Sequence, residues 1–512
     1  MPEKDKSEDV SSTSEAYDEM HPEWCKIWTL MGGTPAMRRA GTLYLPQHPR
    51  EANSHYSRRL ETNTLLNILE LTVKDWVGKV FAKPIKFEEN VPQEIQSISD
   101  DVDRLGTDLG SFMRDAFRMA VTYGVAHILI DNPIIENDGT RTRESDAVEG
   151  VRPHWSLINP WDLIFAHADI EGGKEVLRHV RVREESFEMD GFTHREVNRI
   201  RVYEPGVITT YIEVKDSEHR ETEWVLDTEN PPIAYNIPFI PIFTFYYDKK
   251  GLMLSKIPVG DLADLNIEHW QMSSDLRSIV TAASFPLLAR AGGSLDPGEE
   301  IEIGPYKVLH TSDPQGKWYY VEHSGAAINV GRSYLQSLED RMGLYGAEFL
   351  SSRPGATTSN VEKTATQSVI EQAAVISPLE DVALRFKDFV ERLLDATAQI
   401  AGLGNSPGIG GTIDMPVDLS ESSSNKDMDY LVRAREMRDI SRDTLVKEMA
   451  RRDILSEDYD ADADAELIRD EPLAGGFTER EIDLIEREQR RGRLRDIIEP
   501  DVDENGLSNA NG

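Results

Sequence analysis

Between Lys256 and Asn360 two runs of apolar residues step by three and four in strict alternation, and no other pattern limits the fold as much. The first run is Leu262, Leu265, His269, Met272, Leu276, Ile279 and Ala283; the second is Leu335, Leu338, Met342, Tyr345 and Phe349. This is the spacing of a narrow coiled-coil seam, not of the broad stripe a helix lays on a globular core. At about 1.5 Å per residue the first helix would be roughly 40 Å long. Between the two runs, Phe285 to Asn329 is rich in Gly, Pro and alternating apolar residues (Ile301, Ile303, Val308, Trp318, Tyr320) and reads as a small β unit. Two long helices returning from a β tip make a projecting arm. An arm alone leaves its seams wet, so neighbouring copies are expected to cover them, and a ring of copies does this. His269, on the seam, is expected to pack between chains, with a pH switch as the minor alternative.

At 512 residues the chain exceeds what one core can serve, so several lobes are expected. The net charge of −36 argues against a protein that grips phosphates through a basic patch. It allows a conduit whose acidic wall keeps nucleic acid from sticking, although plain solubility explains the same number. Cys25 is the only cysteine, which leaves no disulfide framework or thiolate zinc site and fits a reducing compartment. The first 20 residues are polar, without the apolar stretch of a signal peptide, and no run approaches a membrane span. An intracellular, soluble, unanchored protein is expected.

In chain order, residues 1–20 are expected to be disordered. A short helix is expected from Pro22 to Met31, and a long one from His55 to Phe81, stopped by Pro84. A further helix runs from Asp108 to about Tyr123, and VAHILID after Gly124 is a buried strand. From His154 to Thr228 alternating segments separated by turns predict an antiparallel meander, so residues 21–255 form one α/β lobe. Residues 351–360 (SSRPGATTSN) read as a mobile loop. A long helix from Val361 to about Ala401 is kinked at Pro378. TIDMPVDL adds a strand to the earlier lobe, and short charged helices follow from Met428.

No phosphate loop, G-x-S-x-G elbow or H-E-x-x-H pair is present, so neither a nucleotide-driven motor nor those hydrolases are indicated. Asp460, Asp462, Asp464 and Glu471 occupy most positions of a calcium loop, but Ala465 stands where the turn needs glycine, which favours an acidic surface turn. His154, His167, His179 and His194 are scattered over strands and read as packed or exposed, not ligating. Arg353 is either a solvated arginine or a transient phosphate contact lining a pore. Trp318, Tyr319 and Tyr320 are either core of the tip or anchors for a partner.

The order of these elements, with LYLPQHPRE, TVKDWVGKVFAKPI, DLADLNIEHWQMSSDLRSI, TATQSVIEQAAVISPLEDVALRF and ISRDTLVKEMARRDILSEDYD, resembles the portal proteins of tailed bacteriophages over nearly the whole chain past residue 20. The resemblance implies an α+β portal fold. Its parts are an α/β wing (21–255), a stem of two helices (256–284 and 330–350), a small β clip (285–329) and a tunnel loop (351–360). A long kinked wing helix (361–402), a return strand and linker (403–424) and a helical crown (425–512) complete it. It further implies a ring, usually of twelve subunits, at one capsid vertex of the virion, assembled in the host cytoplasm. Double-stranded DNA would pass through without sequence specificity. The partners implied are the terminase large subunit, a head–tail adaptor protein and the major capsid protein, with no membrane, no cofactor, no metal and no enzymatic activity. Ser352, Arg353, Thr357, Thr358 and Asn360 would face the DNA, and Tyr306, Lys307, Trp318 and Tyr319 would meet partners. Leu265, Met272, Leu276, Leu335, Leu338, Met342 and Tyr345 would form the intersubunit seam, so Leu338→Asp should break assembly and leave the wing folded. Gly343 and Gly346, costing about 1 kcal/mol each in a free helix, would let neighbouring backbones approach. A metal-dependent nuclease and a scaffold without a channel are the competing classes: magnesium-dependent cutting or a particle without an axial hole would mark them.

Overall fold

The computed structural model describes residues 9–132, 152–215, 222–235, 237–284, 287–292, 314–321, 325–350 and 378–415, and towards the C-terminus 431–435, 437, 439–451, 455, 463–464 and 487. The chain divides into two units, Met1–Leu419 and Ser420–Gly512. Helices and strands are mixed, and every described strand pair is antiparallel.

The first unit begins with helices α1 (Glu15–Met31), α2 (Gly33–Ala40), α3 (Asn53–Thr62), α4 (Ile68–Val80), α5 (Gln93–Gln96) and α6 (Leu109–Tyr123). Residues 9–20 are ordered, contrary to expectation. The Ser14 hydroxyl caps α1 by accepting from the Tyr17 amide, and Tyr17 and Met20 are buried. Pro22 therefore lies inside α1 and does not start it. The expected helix from His55 to Phe81 is two helices, because Asn63 and Asn67 carry side-chain bonds that the break satisfies. Asn67 accepts from the Glu70 amide and donates to the Leu30 carbonyl. Asp108 caps α6, and Gly124 ends it at φ 84°, where a Cβ would meet the Lys256 carbonyl oxygen at 2.8 Å.

Strands β1 (Lys86–Phe87), β2 (Val125–Asp131) and β3 (His154–Ile158) precede the meander β4 (Leu163–Glu171), β5 (Lys174–Asp190), β6 (Thr193–Glu204), β7 (Val207–Lys215) and β8 (Thr222–Leu226). β9 (Ile233–Ala234) adds to β7, and β10 (Ile242–Tyr246) returns beside β2, giving a three-stranded sheet ordered β10-β2-β3. β2 is buried along nearly its whole length, which explains its unbroken apolar run. β11 (Lys249–Gly251) and β12 (Leu254–Ser255) form a small ribbon.

Helix α7 (Gly260–Ala283), strands β13 (Leu287–Ala291) and β14 (Lys317–Val321), helices α8 (Ala326–Leu350) and α9 (Pro378–Ile400), and strand β15 (Ile413–Asp414) complete the unit. β15 pairs with β1, so the late strand joins the earlier lobe. α9 buries Phe386 edge-to-face against Phe81, Phe117 and Phe245, and Phe389 packs tilted on Phe245. The kink is expected at Pro378, which is the first described residue of α9; residues 361–377, on its N-terminal side, lie outside the described residues.

In the second unit, α10 (Arg442–Arg451) is started by the Ser441 hydroxyl accepting from the Thr444 amide, and Arg442 pairs with Asp464 at 3.2 Å. Asp460, Asp462 and Glu471 lie outside the described residues.

Candidate functional site

α7 and α8 form an antiparallel hairpin whose free end carries β13 and β14. Contacts run along its length. Tyr345 Oη donates to the Pro258 carbonyl at 2.7 Å near the root. His269 Nε2 meets Glu339 Oε1 at 3.2 Å in the middle. Tyr334 bonds Glu268, and Gly331 backs onto Leu276, where a Cβ would lie 2.9 Å from its Cδ1. Burial lifts the Tyr345 hydroxyl pKa, with the Asp261 charge adding to it.

The expected seam residues lie on α7 and α8, and two of them are spent within one chain. Leu338 and Met342 are fully buried within one chain; Leu265, Met272, Leu276, Leu335 and Tyr345 are half-buried. His269, expected between chains, is 5% exposed and paired inside its own hairpin. Gly346 faces Thr72 of α4, and Trp76 Nε1 donates to its carbonyl at 3.4 Å, so its close neighbour is intramolecular. Gly343 faces open space.

A second face of α7 fixes the root to the lobe. Asn266 is fully buried: its Oδ1 accepts from the Leu69 amide at 3.1 Å and its Nδ2 donates to the Leu66 carbonyl at 2.9 Å. The first serves the Leu69 amide, one of the orphan donors in the first turn of α4, and the second joins the Ile68 amide on the Leu66 carbonyl. Asn63 donates to the Trp270 carbonyl at 2.9 Å, Lys26 pairs with Asp264 at 2.6 Å, and Arg277 donates to the Thr62 carbonyl at 2.7 Å. Asn266→Ala should cost about 1–3 kcal/mol, since it leaves the buried Leu69 amide unpaired. A denaturant midpoint unchanged from wild type would contradict that. Sequence periodicity missed these asparagines because a buried polar residue interrupts an apolar stripe instead of marking it.

Beyond Arg277 the hairpin leaves the lobe. Residues 277–282 of α7 are exposed on all sides. On α8, Val330, Tyr334, Ser337, Arg341 and Leu344 follow one another by four and three and share one face. Val330 is 71% exposed, and Tyr334 and Leu344 are exposed too. At the tip, Arg290 lies opposite Trp318 with its guanidinium 5.5 Å from the ring, and Tyr319 is 49% exposed. Trp318 thus has a partner within the tip, while Tyr319 faces outward. Tyr306 and Lys307, and the loop residues Ser352, Arg353, Thr357, Thr358 and Asn360, lie outside the described residues.

Among the described residues no group of three or more His, Cys, Asp or Glu side chains is placed to hold a metal ion, and no helix is long and apolar enough to cross a membrane. What the hairpin offers is a surface, held at its root and bare at its end.

A family model described as "Domain of unknown function (DUF4055)" matches residues 258–401, which spans the hairpin and α9. Comparison with curated proteins gives no match. Among solved structures, the chain is similar to one in the neck of an empty GTA particle computed with C6 symmetry. There the identity is 11% and the TM-score 0.38, over 71% of this chain and 84% of that one. It is similar to a chain in the virion of a native gene transfer agent (GTA) particle at 11% identity and TM-score 0.37, over 80% of this chain and 90% of that one. A third similarity is to a chain in the neck of a native GTA particle computed with C12 symmetry, at 10% identity and TM-score 0.37, over 80% and 96%.

Proposed function

We propose that this chain is a portal-type subunit whose copies close head-to-tail into a ring around a channel for double-stranded DNA at one vertex of a phage capsid. The observation that carries this reading is the hairpin's uncovered face. A single chain leaves Val330 and Leu344, with part of the Tyr334 ring, exposed along one side of α8, whose root is bonded to the lobe through Tyr345 and Gly346. An apolar strip of this kind on a projecting element marks a contact with another molecule, and a heterologous contact that closes makes a ring. The portal resemblance of the sequence supplies the subunit number, twelve, and the partners: terminase and head–tail adaptor at the β13–β14 end, capsid protein at the lobe. A net charge of −36 suits a wall that repels phosphate and lets DNA slide.

Electron microscopy of the purified full-length protein tests this directly. Averaged top views are expected to show a ring with an axial hole. A monomer at every concentration, or a closed particle without a hole, would remove the reading.

A further inference from the structure

Residues 9–14 run across the meander as a strap before α1 begins. The strap is bonded at both ends, and its Val10 packs against the buried cluster around Tyr17, Trp24 and Ile164. Its far end is a backbone bond, the Ser14 amide donating to the Ile164 carbonyl at 3.0 Å. Its near end is a single side chain. Arg181 of β5 donates through Nη1 to the carbonyls of Asp9, Val10 and Ser12 at 3.4, 3.2 and 3.2 Å, and to the Ser12 hydroxyl at 2.9 Å. One guanidinium nitrogen gathers three strap carbonyls, so the strap's hold depends on where that guanidinium sits.

Its position is set by Phe165 and His179, the latter held in turn by Glu204. The group lies 4.4 Å over the Phe165 ring. Its Nε donates to Nε2 of His179 at 2.9 Å, and His179 Nδ1 lies 3.0 Å from Glu204 Oε1. Arginine has no acceptor and cannot lose its proton, so Nε2 of His179 must carry the lone pair and Nδ1 the hydrogen that goes to Glu204. The imidazole is thus aimed along one line: carboxylate, imidazole, guanidinium, strap.

We propose that Glu204, His179 and Arg181 form an acid-released latch on the N-terminal strap. A proton arriving at Nε2 turns an acceptor into a donor facing the Arg181 Nε–H, and sets two cations side by side. The imidazolium keeps its bond to Glu204, which strengthens as an ion pair. Arg181 is the group that must leave, and its strap bonds leave with it. The other charged groups around the site do not replace it. His167, directly across from His179 on β4, pairs with Asp169 of its own strand. The Asp9 carboxylate accepts from the Ser11 amide and hydroxyl. Asp9 and the Tyr211 hydroxyl act on Arg181 by charge from the strap and from β7, against the burial that disfavours its cation.

Hydrogen exchange of the full-length protein at about pH 7.5 and about pH 5.5, corrected for intrinsic rates, reads the latch, because histidine changes charge in this interval. The Ser12 and Ser14 amides should lose protection by about tenfold or more at the lower pH, as a locally opened segment does. His179→Gln keeps an acceptor for Arg181 without a titrating group, and should stay protected at both pH values. Arg181→Gln should be open at both. Equal protection of the wild-type strap at the two pH values would overturn the latch, and so would an undiminished pH response in His179→Gln.

Discussion

Leu338→Asp is expected to unfold the hairpin, not merely to separate subunits. Leu338 is fully buried between α8 and its surroundings within one chain. A carboxylate buried there loses its hydration, and the leucine's own transfer energy is lost with it. The combined cost should reach about 3–5 kcal/mol. Val330→Asp is the contrast. Val330 is 71% exposed on the same helix, so the substitution should stay within about 0.5 kcal/mol of wild type, while abolishing the ring. Both are read as denaturant midpoints below the concentration at which wild type assembles, since assembly adds apparent stability. A wild-type midpoint for Leu338→Asp would show that α7 and α8 do not pair within one chain. Intact rings from Val330→Asp would remove the exposed face of α8 from the interface.

Arg59→Ala should be the second large effect. Arg59 is 8% exposed and bonds the Glu51 carboxylate at 2.9 Å, Asp275 of α7 at 3.1 Å and the Pro46 carbonyl at 2.8 Å. It therefore ties the segment before α3 to the hairpin root. Removing it leaves the Glu51 carboxylate buried without its partner. A cost of about 3 kcal/mol is expected, the low end for a buried pair because Asp275 keeps access to water. The pH dependence has a definite sign. The Arg59 side chain holds the Glu51 carboxyl below the usual carboxylate range, against its burial. That stabilisation is fully present above the unfolded value of about pH 4.3 and is lost as pH falls through the lower folded value. The gap between wild type and Arg59→Ala should therefore narrow in acid; a gap independent of pH would contradict the pairing.

Much of the architecture was legible because apolar period reports secondary structure directly. The alternation in β5 to β8 predicted a meander, and Gly124 before VAHILID marked the end of α6 and the start of a buried strand. The two stripes at 256–360 correctly located α7 and α8. Which surface each stripe meets is not legible in its spacing: Leu338 and Met342, expected against a neighbouring copy, are buried within their own chain. The exposed face of α8 is a different one, Val330 to Leu344, whose apolar signal Ser337 and Arg341 dilute.

The sequence by itself determined where helices and strands form, since capping residues, glycines and residue period act within a few positions of one another. It also determined the charge and the presence of an arm with a β tip. Only the tertiary structure decided which side of the arm is spent inside the chain. That choice depends on contacts between residues far apart in sequence, such as Asn266 with Leu66 and Leu69, and Arg59 with Asp275. A spacing rule records the direction an apolar edge faces along its own helix. It carries no information about which surface arrives there, because that is fixed by closing the chain on itself.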